Sequence, residues 1–122
     1  MKKTILYIED EKCLRDDLAE ELICHGFDVV TGVNGLDGLA KLSATVPDLV
    51  ITDLSMPMMS GYEFLAAIGG DESGVCRLPV ILLSAYDESE IISKCTVKPR
   101  AILKKPVDYS ELVSFVESFL ST

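Results

Sequence analysis

The sequence predicts an α/β protein in which five parallel strands form a doubly wound sheet with five helices. Short apolar, β-branched segments alternate five times with segments whose apolar residues recur at helical spacing. The apolar segments are hydrophobic almost throughout, as in strands that are covered on both faces. Polar or charged residues follow four of the five segments. They are therefore expected at the carboxyl edge of the sheet, where such folds bind their ligands.

The first half of the chain contains three predicted strands and two predicted helices. Leucines at 14, 18 and 22 indicate a helix that stops at Gly26, and a second, shorter helix is predicted over 36–42. Asn34-Gly35 between the second strand and this helix predicts a turn. The strands are predicted over residues 4–8, 27–31 and 48–52.

The second half contains the remaining two strands and three helices. A helix over 62–68 ends at Gly69-Gly70, and the most apolar strand follows over 79–83. A weakly patterned helix is predicted over 88–95 and a last strand over 101–103. The final helix, over 109–120, has the clearest apolar face.

Size, charge and cysteine content restrict the class of protein. A chain of 122 residues with 48% hydrophobic residues fits a single domain over 1–122. The formal net charge of −9 argues against nucleic acid or an anionic membrane as a direct partner. The longest apolar run, 78–83, is too short to span a bilayer. The four cysteines are scattered and are interpreted as reduced thiols, which predicts a cytoplasmic protein.

The residues that follow the predicted strands form a set that suggests chemistry. Glu9-Asp10-Glu11 follows the first strand, Asp53 the third, Ser84 the fourth and Lys104-Lys105-Pro106 the fifth. Taken singly, the acids after the first strand could favour the start of the next helix, Ser84 could be a turn residue, and Lys104 could be a solvated charge. A helix-start charge is a sufficient interpretation of Glu11. Such single-residue interpretations do not explain why all of these polar groups occur at the ends of the strands.

Three of these carboxylates are expected to need a cation. If the first and third strands are neighbours, Glu9, Asp10 and Asp53 lie close together and repel one another. A few hard oxygen ligands with room for water suit Mg²⁺ better than zinc or calcium. With Lys105 stabilising charge and Ser84 donating a hydrogen bond, the set is suited to phosphoryl transfer. Asp53 would be the nucleophile and would form an acyl phosphate.

These pieces resemble the receiver domain of two-component response regulators over essentially the whole chain. The matching segments are the acidic pair in ILYIEDE, the motif DLSMPMMSG, the hydroxyl residue in ILLSA and the Lys-Pro of ILKKP. The resemblance implies a chemotaxis-type single-domain fold, flavodoxin-like, with the strand order 2-1-3-4-5.

The resemblance also implies a role for each matching residue. Asp53 resembles the phosphoacceptor, and Ser84 and Lys105 resemble the switch hydroxyl and the phosphoryl-binding lysine. Mg²⁺ would be held by Asp10, Glu9, Asp53 and the backbone carbonyl of Ser55. The Lys105–Pro106 peptide bond is expected to be cis. The phosphoryl donor would be a histidine kinase or a histidine phosphotransfer protein, and slow autodephosphorylation would reset the switch. A downstream protein would bind the face formed by the fourth helix, fifth strand and fifth helix.

Three departures from the family pattern affect these expectations. Glu9 stands where Asp is common, and Ile102 stands where the family often has Tyr or Phe. Lys98-Pro99-Arg100 replaces a usual Gly-Ala turn. They affect how the signal leaves the site more than they affect phosphorylation.

Other functions of the same fold fit less well. A pseudo-receiver that only binds partners is the main alternative, although every side chain needed for phosphorylation is present. A flavodoxin-like cofactor site needs a neutral phosphate loop after the first strand, and Glu9-Asp10-Glu11 has the wrong chemistry. A haloacid-dehalogenase-type phosphatase needs Asp-x-Asp directly after a strand, and neither acidic segment fits.

Overall fold

In the computed structural model, which describes residues 2–55 and 58–120, five strands alternate with five helices as predicted. The strands are β1 Thr4–Ile8, β2 Asp28–Gly32, β3 Leu49–Asp53, β4 Val80–Ser84 and β5 Ala101–Lys104. The helices are α1 Lys12–Cys24, α2 Gly35–Ala44, α3 Gly61–Ile68, α4 Glu88–Lys94 and α5 Tyr109–Leu120.

The five strands form one parallel sheet in the order β2-β1-β3-β4-β5, which confirms the predicted topology. β1 pairs with both β2 and β3, so the acidic residues after β1 lie next to the end of β3. Ile8 is opposite Thr52, and Ser84 is opposite Lys104. This register brings the carboxyl ends of β1, β3, β4 and β5 to one edge.

Two apolar layers cover the sheet because alternate strand residues point to opposite faces. On one face, Ile5, Tyr7 and Ile51 pack against buried residues of α1 and α5, among them Leu18 and Leu112. The other face packs against α2, α3 and α4. Its contacts include Leu6, Val50, Phe64, Leu65 and Ile91. Both faces of β3 and β4 are buried, which explains their continuous apolar sequence.

The predicted Asn34-Gly35 turn is wrong, because these two residues start α2. Asn34 is the N-cap, and its side-chain oxygen accepts a 2.8 Å hydrogen bond from the backbone N–H of Asp37. Asn is favoured at both turns and helix N-caps, since its side chain bonds nearby backbone groups. The tertiary contacts of α2 decide between the two.

The connection from α3 to β4 contains pairing that the sequence did not suggest. Val75 forms an isolated parallel bridge with Lys98, and Cys76 N–H donates a 2.7 Å hydrogen bond to the Lys98 carbonyl. Lys98 N–H donates to Gly74 O at 2.8 Å in return. The segment Lys98-Pro99-Arg100 therefore forms part of a small structure that joins two connections at the amino edge of the sheet.

Two smaller sequence predictions concern the cysteines and the membrane. Cys13, Cys24, Cys76 and Cys95 are all free thiols. Among the helices of the described ranges, none has the length and apolarity that a bilayer crossing requires.

Candidate functional site at the carboxyl edge of the sheet

The carboxyl edge brings together the three acids that the sequence singled out. Asp53 is the last residue of β3, and Glu9 and Asp10 follow β1 directly. One carboxylate oxygen from each of the three lies within 4.8 Å of the other two. Glu9 is 1% exposed and Asp53 5% exposed, whereas Asp10 is open to solvent. The cluster thus has a buried side and a wet side.

Lys105 supplies positive charge to the buried side of this cluster. Its Nζ lies 3.0 Å from Asp53 Oδ1 and 3.8 Å from Glu9 Oε1. The lysine is positioned by the end of β5, where its backbone N–H donates a 2.7 Å hydrogen bond to Ser84 O. The Lys105–Pro106 peptide bond is cis, which confirms that prediction.

The position of Glu9 disfavours the charged form of its carboxyl group. Burial, a side-chain hydrogen bond with Asp10 and the Asp53 charge together raise the pKa of Glu9 to about 7. Glu9 Oε2 accepts a 3.2 Å hydrogen bond from Glu11 N–H. Glu9 Oε1 is buried and has no hydrogen-bond partner among the described residues, since Lys105 is too distant for one.

Ser84 lies next to this cluster at the end of β4 and is also buried. Its Oγ accepts a 2.9 Å hydrogen bond from Tyr86 N–H. The hydroxyl therefore holds the start of the loop between β4 and α4. Any reorientation of Ser84 toward Asp53 would alter the position of that loop.

The described part of the loop after Asp53, residues 54–55 and 58–60, leads to a close backbone approach at Gly61. Ser55 lies in it with an exposed side chain, while Met56 and Pro57 of the DLSMPMMSG motif lie outside the described residues. Gly61 closes the loop with a 2.8 Å hydrogen bond from its N–H to Leu54 O. A Cβ at Gly61 would come within 3.2 Å of Asp53 O. Only glycine allows this close approach without moving the backbone of Asp53.

The residues of this edge fit a divalent cation. Among the residues that the structure describes, three carboxylates converge beside one lysine, and a buried oxygen of one carboxylate lacks a hydrogen bond. Buried polar atoms without partners are rare, and a hard cation is the natural partner for carboxylate oxygens. The exposed side of the cluster at Asp10 leaves room for water ligands.

Comparison with known proteins agrees with this site and fold. The sequence-family model for the response regulator receiver domain matches residues 5–117 of this chain. The chain belongs to the response regulator receiver family. Receiver domains generally bind Mg²⁺ at an acidic pocket, and membership supports a phosphorylation-dependent signalling switch.

Individual relatives and structures support the same assignment. The chain is 34% identical over 121 residues to hybrid signal transduction histidine kinase D of Dictyostelium discoideum, covering 98% of this chain and 8% of that protein. Chemotaxis response regulator CheY4 of Vibrio cholerae superposes with a TM-score of 0.86 at 25% identity, covering 98% and 100% of the two chains. The receiver domain of a Syntrophus aciditrophicus histidine kinase superposes at 0.85 with 30% identity, covering 98% and 90%. Across the first relatives compared, the chain spans between 8% and 61% of their length.

Ile102, one of the three departures from the family pattern, lies on the α4–β5–α5 face. Ile102 on β5 is partly buried and packs against the apolar cluster that includes Ile91 of α4. Lys104, interpreted from the sequence as a solvated charge, is exposed but pairs with Asp87 at 3.0 Å. Asp87 is the N-cap of α4, yet its side chain makes no capping hydrogen bond.

Two residues that lie at the acidic edge of this receiver were not identified from the sequence. Arg15 of α1 donates a 2.8 Å hydrogen bond to the Glu9 carbonyl, which fixes the turn between β1 and α1. Tyr7 of β1 places a buried hydroxyl near Glu9. An arginine in a polar helix and a tyrosine in an apolar strand carry no distinctive spacing, so a single sequence offers no signal for either.

Proposed function

We propose that this receiver is a phosphorylation-activated switch whose phosphoacceptor is Asp53. The phosphoryl group comes from a histidine kinase or a histidine phosphotransfer protein. Autodephosphorylation then returns the domain to its resting state. Residues 1–122 make up one receiver domain in this proposal.

The observation that carries the proposal is the ion pair between Asp53 and Lys105, next to the carboxylates of Glu9 and Asp10. A carboxylate 5% exposed and 3.0 Å from an ammonium group is held in one position at the rim of the sheet. A fixed nucleophile with positive charge beside it lowers the entropic and electrostatic costs of attack on an anionic phosphoryl group.

The proposed reaction is a direct displacement at phosphorus. An Asp53 carboxylate oxygen attacks the phosphoryl group of phosphohistidine, a P–O bond forms, and the P–N bond breaks with its electrons leaving on the imidazole nitrogen. Lys105 stays close to the transferred oxygens, and the Ser84 hydroxyl donates a hydrogen bond to one of them. Attack by water on the acyl phosphate later releases inorganic phosphate and restores the Asp53 carboxylate.

Glu9, Asp10, Asp53 and the Ser55 carbonyl are the groups that would hold Mg²⁺. When bound, this cation would neutralise the carboxylates and the charge on the phosphoryl oxygens. The Glu9 side chain, one methylene longer than the usual aspartate, would reach the cation directly or through water.

The conformational signal is proposed to pass through the loop between β4 and α4, whose start is hydrogen-bonded to Ser84. If Ser84 turns toward the phosphoryl group, the 2.9 Å hydrogen bond from Tyr86 N–H to its Oγ is lost. α4 has only seven residues and lacks a side-chain N-cap, so moving it requires little free energy. A downstream protein would then bind the changed α4–β5–α5 face.

Charge and thiol chemistry support the remaining parts of the proposal. The net charge of −9 favours a protein partner over direct contact with nucleic acid or an anionic membrane. Four free thiols suit the reducing cytoplasm, where we place the protein.

The test is the mass of the intact protein after incubation with acetyl phosphate and Mg²⁺. One added phosphoryl group is expected on the wild type and none on Asp53→Asn, since the amide keeps the shape but lacks the anionic oxygen. Asp16→Asn is the matched control, because Asp16 is an exposed carboxylate on α1 that pairs with Lys12, away from the acidic cluster.

The outcomes separate the proposal from its alternatives. Labelling of the wild type and Asp16→Asn but not Asp53→Asn supports it. Labelling that persists in Asp53→Asn would identify a different acceptor. A wild type that stays unlabelled by both acetyl phosphate and a panel of phosphorylated kinases would favour the pseudo-receiver.

A further inference from the structure

An exposed apolar patch lies beside the acidic cluster, on the α2 side of the carboxyl edge. We define it by Val33, Leu36 and Met58, whose side chains are 47%, 46% and 73% exposed. Val33 lies in the connection from β2 to α2, Leu36 in the first turn of α2, and Met58 in the connection from β3 to α3. The phosphoryl-transfer chemistry proposed for Asp53 uses none of these side chains.

Hydrogen bonds hold the patch next to the acids. The Glu9 N–H donates a 3.0 Å hydrogen bond to the carbonyl of Gly32, which directly precedes Val33. The side-chain amide of Asn34 donates a 3.6 Å hydrogen bond to Met58 Sδ, and this contact joins the two connections. The patch therefore forms one surface with a fixed position relative to the acidic cluster.

The exposed position of Met58 is unfavourable for the isolated domain. Its φ is 72°, in the left-handed region that few residues other than glycine, asparagine and aspartate adopt. Its apolar side chain gains nothing from burial within the domain, because 73% of it is exposed. Backbone strain of this kind is concentrated at functional sites, and grouped apolar side chains on a surface mark places where another molecule binds.

The position of the patch restricts the partner. Asp53 is 5% exposed at this edge, so a protein that brings phosphohistidine to it must cover the surrounding surface. On the α1 side, that surface carries the exposed charges of Lys12 and Asp16, which pair with each other at 2.8 Å. Covering these charges costs free energy, whereas covering apolar side chains gains it. A protein donor is therefore expected to make its apolar contacts on the α2 side.

We propose that Val33, Leu36 and Met58 form the apolar contact surface for the protein that donates the phosphoryl group to Asp53, and that this donor carries apolar side chains beside its phosphohistidine. The inference rests on the proposed function and adds which side of Asp53 the donor covers. Acetyl phosphate is small and needs no such surface. Loss of the patch should therefore slow transfer from a protein donor and leave transfer from acetyl phosphate unchanged.

The test compares the two kinds of donor on Leu36→Gln and Met58→Gln, which remove apolar surface without adding charge. The protein donor is the member of a panel of phosphorylated histidine kinases and histidine phosphotransfer proteins that labels the wild type fastest. Each variant should accept the phosphoryl group from it about fivefold more slowly, while labelling by acetyl phosphate with Mg²⁺ stays within about twofold of the wild type. Val46→Gln is the matched control and should equal the wild type with both donors, because Val46 is 84% exposed but lies between α2 and β3, at the opposite edge of the sheet.

The outcomes distinguish this inference from the proposed function. Normal labelling by acetyl phosphate together with equal rates of protein transfer in all variants would overturn the inference alone. Equal slowing with both donors would overturn it too, because the variants would then act on the Asp53 site itself. So would slower protein transfer in Asp16→Asn but not in the patch variants, since the donor would then cover α1.

Two results with the wild type complete the test. If acetyl phosphate labels the wild type but none of the protein donors does, the patch serves no protein donor and the inference is overturned. If acetyl phosphate leaves the wild type unlabelled, the proposed function fails and the inference fails with it.

Discussion

Two adjacent lysines form ion pairs of the same length, and the structure predicts very different effects when each is removed. Lys105 Nζ is 3.0 Å from Asp53, and Lys104 Nζ is 3.0 Å from Asp87. The Lys105 side chain is 27% exposed against an Asp53 side chain at 8%. The side chains of the other pair are 63% and 66% exposed. Burial, not distance, should decide the contribution of each pair to folding stability.

The magnitude follows from Coulomb's law and the surroundings. At an effective dielectric constant of about 20, an ion pair at 3.0 Å is worth about 5.5 kcal/mol, and one at 3.8 Å, as between Lys105 and Glu9, about 4.4 kcal/mol. The measured loss will be smaller, because the Lys105 ammonium is desolvated in the folded state and Glu9 can take up a proton. We expect Lys105→Met to lower the free energy of unfolding by about 3 kcal/mol. The exposed pair is screened by water, so Lys104→Met should cost under about 1 kcal/mol.

The assay is urea unfolding followed by circular dichroism, with a chelator present. It is run at pH 8, above the pKa of about 7 to which burial raises Glu9, so that this carboxylate is charged. Adding Mg²⁺ should return part of the stability of Lys105→Met, since the cation replaces the missing positive charge and binds only the folded state.

A double variant tests the stated cause. In Lys105→Met with Asp53→Asn, one of the uncompensated carboxylates is gone, so about half of the lost stability should return. Equal losses in the two single lysine variants would refute the reasoning. A double variant less stable than Lys105→Met would refute it as well.

Three further predictions concern the metal, the lifetime and the output. Asp10→Ala should weaken Mg²⁺ binding about tenfold or more by titration and slow phosphorylation, whereas Glu11→Gln should change both little; equal effects would place the metal elsewhere. Tyr86→Ala should lose its phosphoryl group several-fold faster than wild type by intact mass, because the half-exposed ring obstructs water; equal decay would remove Tyr86 from the mechanism. With beryllofluoride as a phosphoryl mimic, amide hydrogen exchange should change most over 84–95 and little at Ile102, and the reverse pattern would contradict the proposed output through α4.

The fold was predictable because its signals are redundant along the chain. Each strand is a short apolar run, and each helix has its own stop signal or apolar spacing, so an error at one boundary leaves the topology intact. The error at Asn34 shows the limit. One side chain can serve a turn or a helix N-cap, and only the packing of α2 decides which.

The site was predictable to the extent that a parallel sheet fixes where its strands end. Asp53 ends a strand, and Glu9, Asp10 and Lys105 directly follow one, so the topology alone brings the four residues together. Contacts that depend on side-chain reach from other elements were not predictable. Arg15 contacts Glu9 O from six residues along the chain, across a turn whose shape the sequence does not specify.

The carboxyl edge is also where this receiver gives up stability for its function. Both faces of β3 and β4 are buried, yet at this edge two buried acids share one lysine and α4 lacks a side-chain cap. Within the described part of the chain, a glutamate oxygen and a tyrosine hydroxyl also lack hydrogen bonds. A fold selected for stability alone would remove these features, since each costs free energy. A switch needs them, because a phosphoryl group and a cation can shift a conformational equilibrium only by the interactions that the resting state leaves unmade. The uncompensated carboxylate charge lies beside Asp53, and the short helix α4 follows Ser84 in the chain. The hydrogen bond from Tyr86 N–H to Ser84 Oγ is therefore the physical connection through which a change at Asp53 can move α4.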